Sequence, residues 1–255
     1  MSRIFKAGFG LLSYLLFLVV FLYAVGFLGS IVVPKAINDG ASGDPWLATA
    51  IDVLLLTLFA VQHSVMARPG FKRWWTKLVP TSIERSVYVL FASLLLVLLF
   101  WQWRPIGVEL WRFSGAWASV MIILFWSGWA IALISTFLIS HFELFGVRQV
   151  LADWLGGSPI SSLKTPLFYR WVRHPLYLGF IISFWSTPVM TVGHLLFAGL
   201  STAYIFVGIH FEERDLLDHF GDAYASYKER VRMLLPVPKS RSTRDTPTPS
   251  APPAV

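Results

Sequence analysis

The segment Arg173-His174-Pro175-Leu176-Tyr177-Leu178-Gly179 opens a long uncharged stretch. Residues 174 to 211 contain no Asp, Glu, Lys or Arg, and the stretch ends at Glu212-Glu213. Pro175 suits the first turn of a helix, where its missing N–H is no loss. His174 and Tyr177 share a face of that helix. The unpaired N–H groups at a helix start attract anions, and the carboxylates at the far end of the stretch attract a cation. A ligand carrying both charges, such as an amino-acid group, finds a partner for each. The same residues equally suit an interfacial ion pair that fastens a hairpin to its loops, and spacing alone leaves both readings open.

The elements that position these residues follow from length. As one helix the uncharged stretch would reach roughly 57 Å, nearly twice a bilayer core of about 30 Å. Pro188 and Gly193 lie near its middle. The stretch therefore reads as a helical hairpin with arms near 175–190 and 193–211, returning Glu212-Glu213 to the membrane face of Arg173-His174. Four further apolar spans lie near 9–33, 46–66, 86–103 and 117–140. The chain has 255 residues, 56% of them hydrophobic and only 14% charged, against about 25% charged in soluble domains. The expected fold is all-α, a polytopic membrane bundle of four spans plus the hairpin. One hairpin arm is short, so five and six crossings both remain possible. The first span exceeds a signal-peptide core and has no cleavage site after it, so it is expected to stay as an anchor.

Basic residues set the orientation. Arg68, Lys72, Arg73, Lys77 and Arg85 crowd the second connection, and Arg148, Lys164, Arg170 and Arg173 the fourth. By the positive-inside rule these connections and both termini face the cytoplasm. The net charge of +7 belongs to such flanks, which speaks against a nucleic-acid partner. Many of the 12 Trp residues sit at segment edges as an interfacial belt. With no Cys, disulfides, thiolate metal sites and a cysteine nucleophile are excluded. Past Glu213, Leu216, Leu217 and Phe220 form an apolar stripe before Gly221, and Tyr224, Tyr227 and Val231 form another. Residues 1–235 read as one membrane-embedded domain. Residues 236–255, rich in Pro, Ser and Thr, read as a disordered tail.

Two more polar clusters interrupt apolar surroundings. Gln62-His63-Ser64 lies near the end of the second span, where polar side chains usually face the protein interior. It suits a substrate pocket, a proton acceptor or an interhelical hydrogen bond. His141-Phe142-Glu143 and Arg148-Gln149 follow the fourth span. On an unbroken helix His141 and Arg148 share a face and Glu143 lies opposite; Gly146 is a place for a break. His194 falls at the outer turn, and His210 lies beside Glu212. There is no histidine box of the desaturase kind, and Gly8-x-Gly10 precedes a membrane span with no strand before it, unlike a dinucleotide loop.

Taken together, Arg-His-Pro-x-Tyr-x-Gly, the hairpin, Glu-Glu-x-x-Leu and Phe220-Gly221-x-x-Tyr224-x-x-Tyr227 resemble the isoprenylcysteine carboxyl methyltransferase and phospholipid methyltransferase superfamily over residues 165 to 231. The blocks Gln62-His63-Ser64-Val65-Met66-Ala67-Arg68-Pro69 and His141-Phe142-Glu143-Leu144-Phe145-Gly146-x-Arg148-Gln149 look like its methanethiol S-methyltransferase branch, a neighbour of the NnrU-type membrane proteins. This resemblance implies S-adenosylmethionine as cofactor, bound from the cytoplasmic face of a bacterial inner membrane. Arg173, His174 and Tyr177 would contact it, Pro175 and Gly179 would shape its loop, and Glu212 or Glu213 would hold its amino group. Gln149 and Val150, at the end of span four, would lie alongside. The implied reaction methylates a small thiol, methanethiol to dimethyl sulfide. A neutral thiol is a poor nucleophile, and His141, with Glu143 and His63 behind it, is the expected activating group. Methylation of a prenylcysteine carboxylate or a lipid amine, and a non-enzymatic NnrU-type role, are the alternatives.

Overall fold

The computed structural model describes residues 2–41, 43–155 and 165–237. The remainder of the tail, 238–255, falls outside them. In chain order the elements are α1 (Arg3–Gly29), α2 (Pro45–Ala67), α3 (Pro69–Trp75), α4 (Thr81–Gln102), β1 (Glu109–Arg112), α5 (Gly115–Ile139), α6 (His141–Leu144) and α7 (Val147–Leu155). A 3₁₀ turn (Leu167–Arg170), α8 (Pro175–Trp185), β2 (Val189–Thr191), α9 (Val192–Phe220) and α10 (Asp222–Arg230) complete the chain. Local chemistry fixes many of the ends. Ser2 Oγ accepts from Phe5 N and Asp44 Oδ1 from Trp46 N, so α1 and α2 start on capped N–H groups. The fourth span ends at Ile139, one residue before Ser140, and Gly146 has φ +86°, a left-handed turn that separates α6 from α7.

Helices α1, α2, α4, α5 and α9 are each long and apolar enough to cross a membrane. The chain is an all-α polytopic integral membrane protein. The hairpin is uneven. Its first arm stops being helical at Trp185, so α8 covers only about 17 Å, half a bilayer core. Extended chain takes over, and β2 pairs antiparallel with β1, joining Glu109 to Thr191 and Arg112 to Val189. The second arm runs past residue 211 as one helix, so Glu212 and Glu213 are helical residues of α9.

The six helices close into a ring in the order α1, α4, α2, α9, α8, α5. The ring shuts where Phe21 of α1 meets Trp129 of α5 edge to face at 5.3 Å. Packing between α5 and α8 is the most intimate. Gly128 and Ala132 of α5 face Gly179 and Ser183 of α8, and a Cβ on Gly179 would lie 2.5 Å from Gly128 O. Small residues one turn apart let two membrane helices touch backbone to backbone. At the end of the ring near β1, Lys35 Nζ donates to Trp101 O and Trp103 O at 2.7 Å, and fully buried Asp52 accepts from Arg104 N at 2.9 Å. These bonds tie down the last carbonyls of α4 and the backbone beyond it. The opposite end carries α3, α6, α7 and α10, and Arg68, between α2 and α3, reaches Asp215 of α9 there at 3.2 Å.

Candidate active site

His174 immediately precedes α8, and α9 returns Glu212 and Glu213 beside it, as the hairpin requires. The two carboxylates have different work. Glu213 is buried. Arg173 Nε (2.8 Å) and His174 Nε2 (3.1 Å) donate to its Oε1, Arg173 Nη2 lies at 2.6 Å from the same oxygen, and Lys228 Nζ lies 2.8 Å from Oε2. Arg173 also donates to the carbonyls of Lys228 and Val231. The backbone N–H groups of Arg173 and His174 donate to Arg232 O (2.8 Å) and Met233 O (3.1 Å). Arg173 and Glu213 thus rivet α8, α9, α10 and the chain after α10 together, with their hydrogen-bonding capacity turned into the protein.

Glu212 is more open. Its side chain is 43% exposed, and its Oε2 lies 3.8 Å from His174 Nδ1. That oxygen is enclosed and has no hydrogen-bond partner in the protein. Tyr177, in the first turn of α8, engages this carboxylate with its hydroxyl, so Glu212 is partnered by Tyr177 even though Oε2 is left over. Beneath the rivet, Tyr227 donates to Tyr169 O at 2.6 Å. Burial pushes Tyr227 up to about 12 and raises Tyr169 and Tyr224 as well, so all three stay neutral hydroxyls. The Oη of Tyr224 and Gln149 Oε1 are further enclosed polar atoms with no partner in the protein.

The other expected site residues are scattered. Pro175 is the first residue of α8, and Gly179 lies inside that helix against α5, in a helix contact and not in a loop. Gln149 and Val150 belong to α7, a separate helix after α5, where Gln149 Nε2 donates to Glu143 O (3.0 Å) and Val150 packs on Gly10 of α1. The break at Gly146 lets Glu143 meet Arg148, at 2.9 Å in a partly exposed pair. His141 is buried and stacks on Phe137 at 4.1 Å. Both its ring nitrogens are engaged: Nδ1 lies 2.7 Å from Thr136 Oγ1 and Nε2 lies 2.9 Å from Tyr14 Oη. Thr136 gives its own proton to Leu133 O (2.7 Å), which makes Nδ1 the donor to Thr136 and Nε2 the acceptor from Tyr14. Burial lowers the affinity of His141 for a second proton. His63 sits apart, between α2, α4 and α9, with Nε2 2.7 Å from Tyr88 Oη and its ring stacked on Phe59.

Comparison with characterised sequences identifies the framework. Over 240 residues the chain is 54% identical to methanethiol S-methyltransferase 1 of Bradyrhizobium diazoefficiens, covering 92% of this chain and 84% of that one. It is 52% identical to the methanethiol S-methyltransferase of Mycobacterium tuberculosis, covering 93% of this chain and 98% of that one. The chain belongs to the methanethiol S-methyltransferase family. It is therefore a methyltransferase and uses a methyl donor. Nurim of Danio rerio is a more distant relative, 29% identical over 96% of this chain and 98% of its own. No family model and no solved structure matches the chain.

Reading the sequence alone overlooked three hydroxyls of this methyltransferase: Tyr14, Tyr88 and Tyr204. Their signal was available. Each lies in an apolar span, where a phenolic hydroxyl needs a hydrogen-bond partner, and each finds one on another helix: Tyr14 with His141, Tyr88 with His63, and Tyr204 with Ser64, which donates to it.

Proposed function

We propose that this enzyme transfers a methyl group from S-adenosylmethionine to methanethiol, forming dimethyl sulfide, at a site that opens to the cytoplasm. The observation that carries the reading is the unpaired Glu212 Oε2 beside His174 and Tyr177 at the start of α8, in a chain so similar to named methanethiol S-methyltransferases. Residues at this end suit an amino-acid group. Glu212 can hold its ammonium, and the free N–H groups of the first turn of α8 its carboxylate. His174 is oriented for contact because Glu213, which can only accept, takes the proton on Nε2. Gln149 offers a further free oxygen, and Val150 fixes α7 against α1. Arg173, Glu213, Pro175 and Gly179 build the site without reaching into it.

When bound, the donor supplies a sulfonium methyl whose displacement is in line, so the protein's task is alignment and exclusion of water. The closed ring does the excluding: Trp129, Phe180 and Phe184 pack inside it, and the rivet seals α8, α9 and α10 at the charged end. Of the expected activating groups, His141 and Glu143 are committed to Tyr14 with Thr136 and to Arg148, which favours a supporting role for both. The basic residues at this end support a cytoplasmic orientation, where the donor is made. The test is methyl transfer by purified protein to methanethiol, a prenylcysteine and a phospholipid amine side by side. Dimethyl sulfide is the expected product. Transfer confined to the prenylcysteine or the lipid would overturn the proposal.

A further inference from the structure

Among the described residues two histidines, His63 and His194, keep a ring nitrogen with no partner in the protein; His63 is the one near the charged end of the bundle that carries Arg68 and Arg85. It lies on α2, five residues before the Arg68 that pairs with Asp215. Its Nε2 is 2.7 Å from Tyr88 Oη of α4, Phe59 stacks on one face of its ring at 5.2 Å, and Tyr204 of α9 meets it edge-on at 6.4 Å. Ser64 donates to the Tyr204 hydroxyl at 3.3 Å. His63 Nδ1 is enclosed and touches no donor or acceptor in the protein. Tyr88 and Tyr204 are also the phenols nearest in electrostatic terms to Tyr177, which faces Glu212. Tyr88 and Tyr204, which contact the His63 ring, thus also bear on the phenol that faces Glu212 of α9. The charged groups around these side chains are Arg85, over the Tyr88 ring at 5.7 Å, Arg68 and Glu212.

We propose that His63 Nδ1 is the catalytic residue that takes the proton of the acceptor thiol, and that Tyr88 is its positioning residue. This assignment rests on the thiol-methylating reading above. In that role Nε2–H donates to Tyr88 Oη, one of the two tautomers that the 2.7 Å contact admits, and the lone pair lies on Nδ1. In the step, the S–H bond breaks and its proton passes to Nδ1. The thiol sulfur forms the new S–CH3 bond, and the donor's C–S bond breaks with its electrons left on the departing sulfur. One positive charge is lost at the sulfonium and one appears on the imidazolium, so no net charge is created in an apolar interior, where an unpaired charge is very costly. Neither His141, with both nitrogens engaged, nor Glu143, paired with Arg148, offers a comparable vacancy.

The test compares two acceptors of nearly the same shape: methanethiol, a thiol mostly protonated at neutral pH, and methaneselenol, which is already ionised there. Purified full-length parent, His63→Gln and Tyr88→Phe are assayed with both, and S-adenosylhomocysteine binding is titrated by calorimetry. Loss of a general base lowers turnover by about a hundredfold or more, so His63→Gln should lose that much with methanethiol. Its selenol turnover and its homocysteine-product affinity should stay within about threefold of the parent, because neither needs the base. Tyr88→Phe should show the same pattern at about tenfold. Independently of turnover, NMR of isotope-labelled histidine should show His63 protonated on Nε2 in the parent and altered in Tyr88→Phe. Equal loss with both acceptors would make His63 a packing residue and overturn the proposal, as would unchanged methanethiol turnover or a parent that rejects the selenol. If His63→Gln does not fold, the Tyr88→Phe acceptor pattern and the NMR signature decide alone. A parent that binds the homocysteine product yet methylates neither acceptor refutes the thiol reading itself, and this assignment with it.

Discussion

Glu212 and Glu213 are adjacent and chemically identical, so replacing each in turn isolates what its surroundings demand. Glu213 receives Arg173, His174 and Lys228 in a buried setting. Glu213→Ala leaves the Arg173 guanidinium buried without its counter-charge, and breaking a buried pair this way costs about 3–5 kcal/mol. For a chain of this size that corresponds to a drop of roughly 10 °C in unfolding temperature. Glu212→Gln removes a half-exposed carboxylate with no protein hydrogen bond on Oε2, and such a change is worth no more than about 0.5 kcal/mol of stability. On the proposed reading it also removes the partner of the donor's ammonium, and a charge-assisted hydrogen bond is worth about 1.5–3 kcal/mol. S-adenosylhomocysteine should therefore bind about ten- to a hundredfold more weakly, since each 1.4 kcal/mol is about tenfold. Thermal unfolding by tryptophan fluorescence and calorimetric titration, both on detergent-purified protein, read the two quantities separately. A stable Glu213→Ala that has lost binding, together with a destabilised Glu212→Gln that has kept it, would reverse the assignment and refute the reasoning.

Further outcomes follow from the same geometry. Gly179→Leu places a side chain where Cβ alone would be 2.5 Å from Gly128 O and 2.6 Å from Ala132 N; it should destabilise by at least about 2 kcal/mol, and an unshifted unfolding temperature would show that α5 and α8 pack otherwise. Burial holds His141 below its ordinary value of 6.5, so the unfolded chain binds that proton more tightly than the folded one. Stability should rise with pH across the window ending near 6.5 and be lost as pH falls through it. His141→Phe should flatten that part of the stability–pH curve, and an unchanged slope would contradict the burial of a neutral ring. Because the chain has no native Cys, Arg73→Cys and Val108→Cys report sidedness: a membrane-impermeant maleimide should label only the second in intact cells, and labelling of the first would invert the topology.

The long elements were legible because a bilayer imposes length and hydrophobicity together. Pro188 and Gly193 marked the turn of the hairpin, but the extended chain of β2 did not show, since it depends on β1 as a partner from a distant loop. Gly146 signalled the break that brings Glu143 to Arg148, but the break at Ser140 carried no such mark. The motif residues at the start of α8 and the end of α9 were readable as one cluster. Which of Glu212 and Glu213 is free was not, because successive helical residues point about 100° apart and only the packed structure says which faces Arg173. His141 looked like the activating base because it is polar among apolar residues. Phe137, Phe142 and Phe145 around it, together with Tyr14 from a distant span, make it a satisfied buried imidazole. The partners of His63, Tyr88 and Tyr204, were not legible because they come from two other spans.

The central claim is that this membrane bundle moves a methyl group from S-adenosylmethionine to methanethiol. Purified protein incubated with methanethiol and a donor carrying a deuterated methyl group, followed by headspace mass spectrometry, tests it directly. The account predicts dimethyl sulfide bearing one fully deuterated methyl, formed by the parent and strongly reduced in Glu212→Gln at low donor concentration. Folded protein that binds S-adenosylhomocysteine but yields no labelled dimethyl sulfide would contradict it.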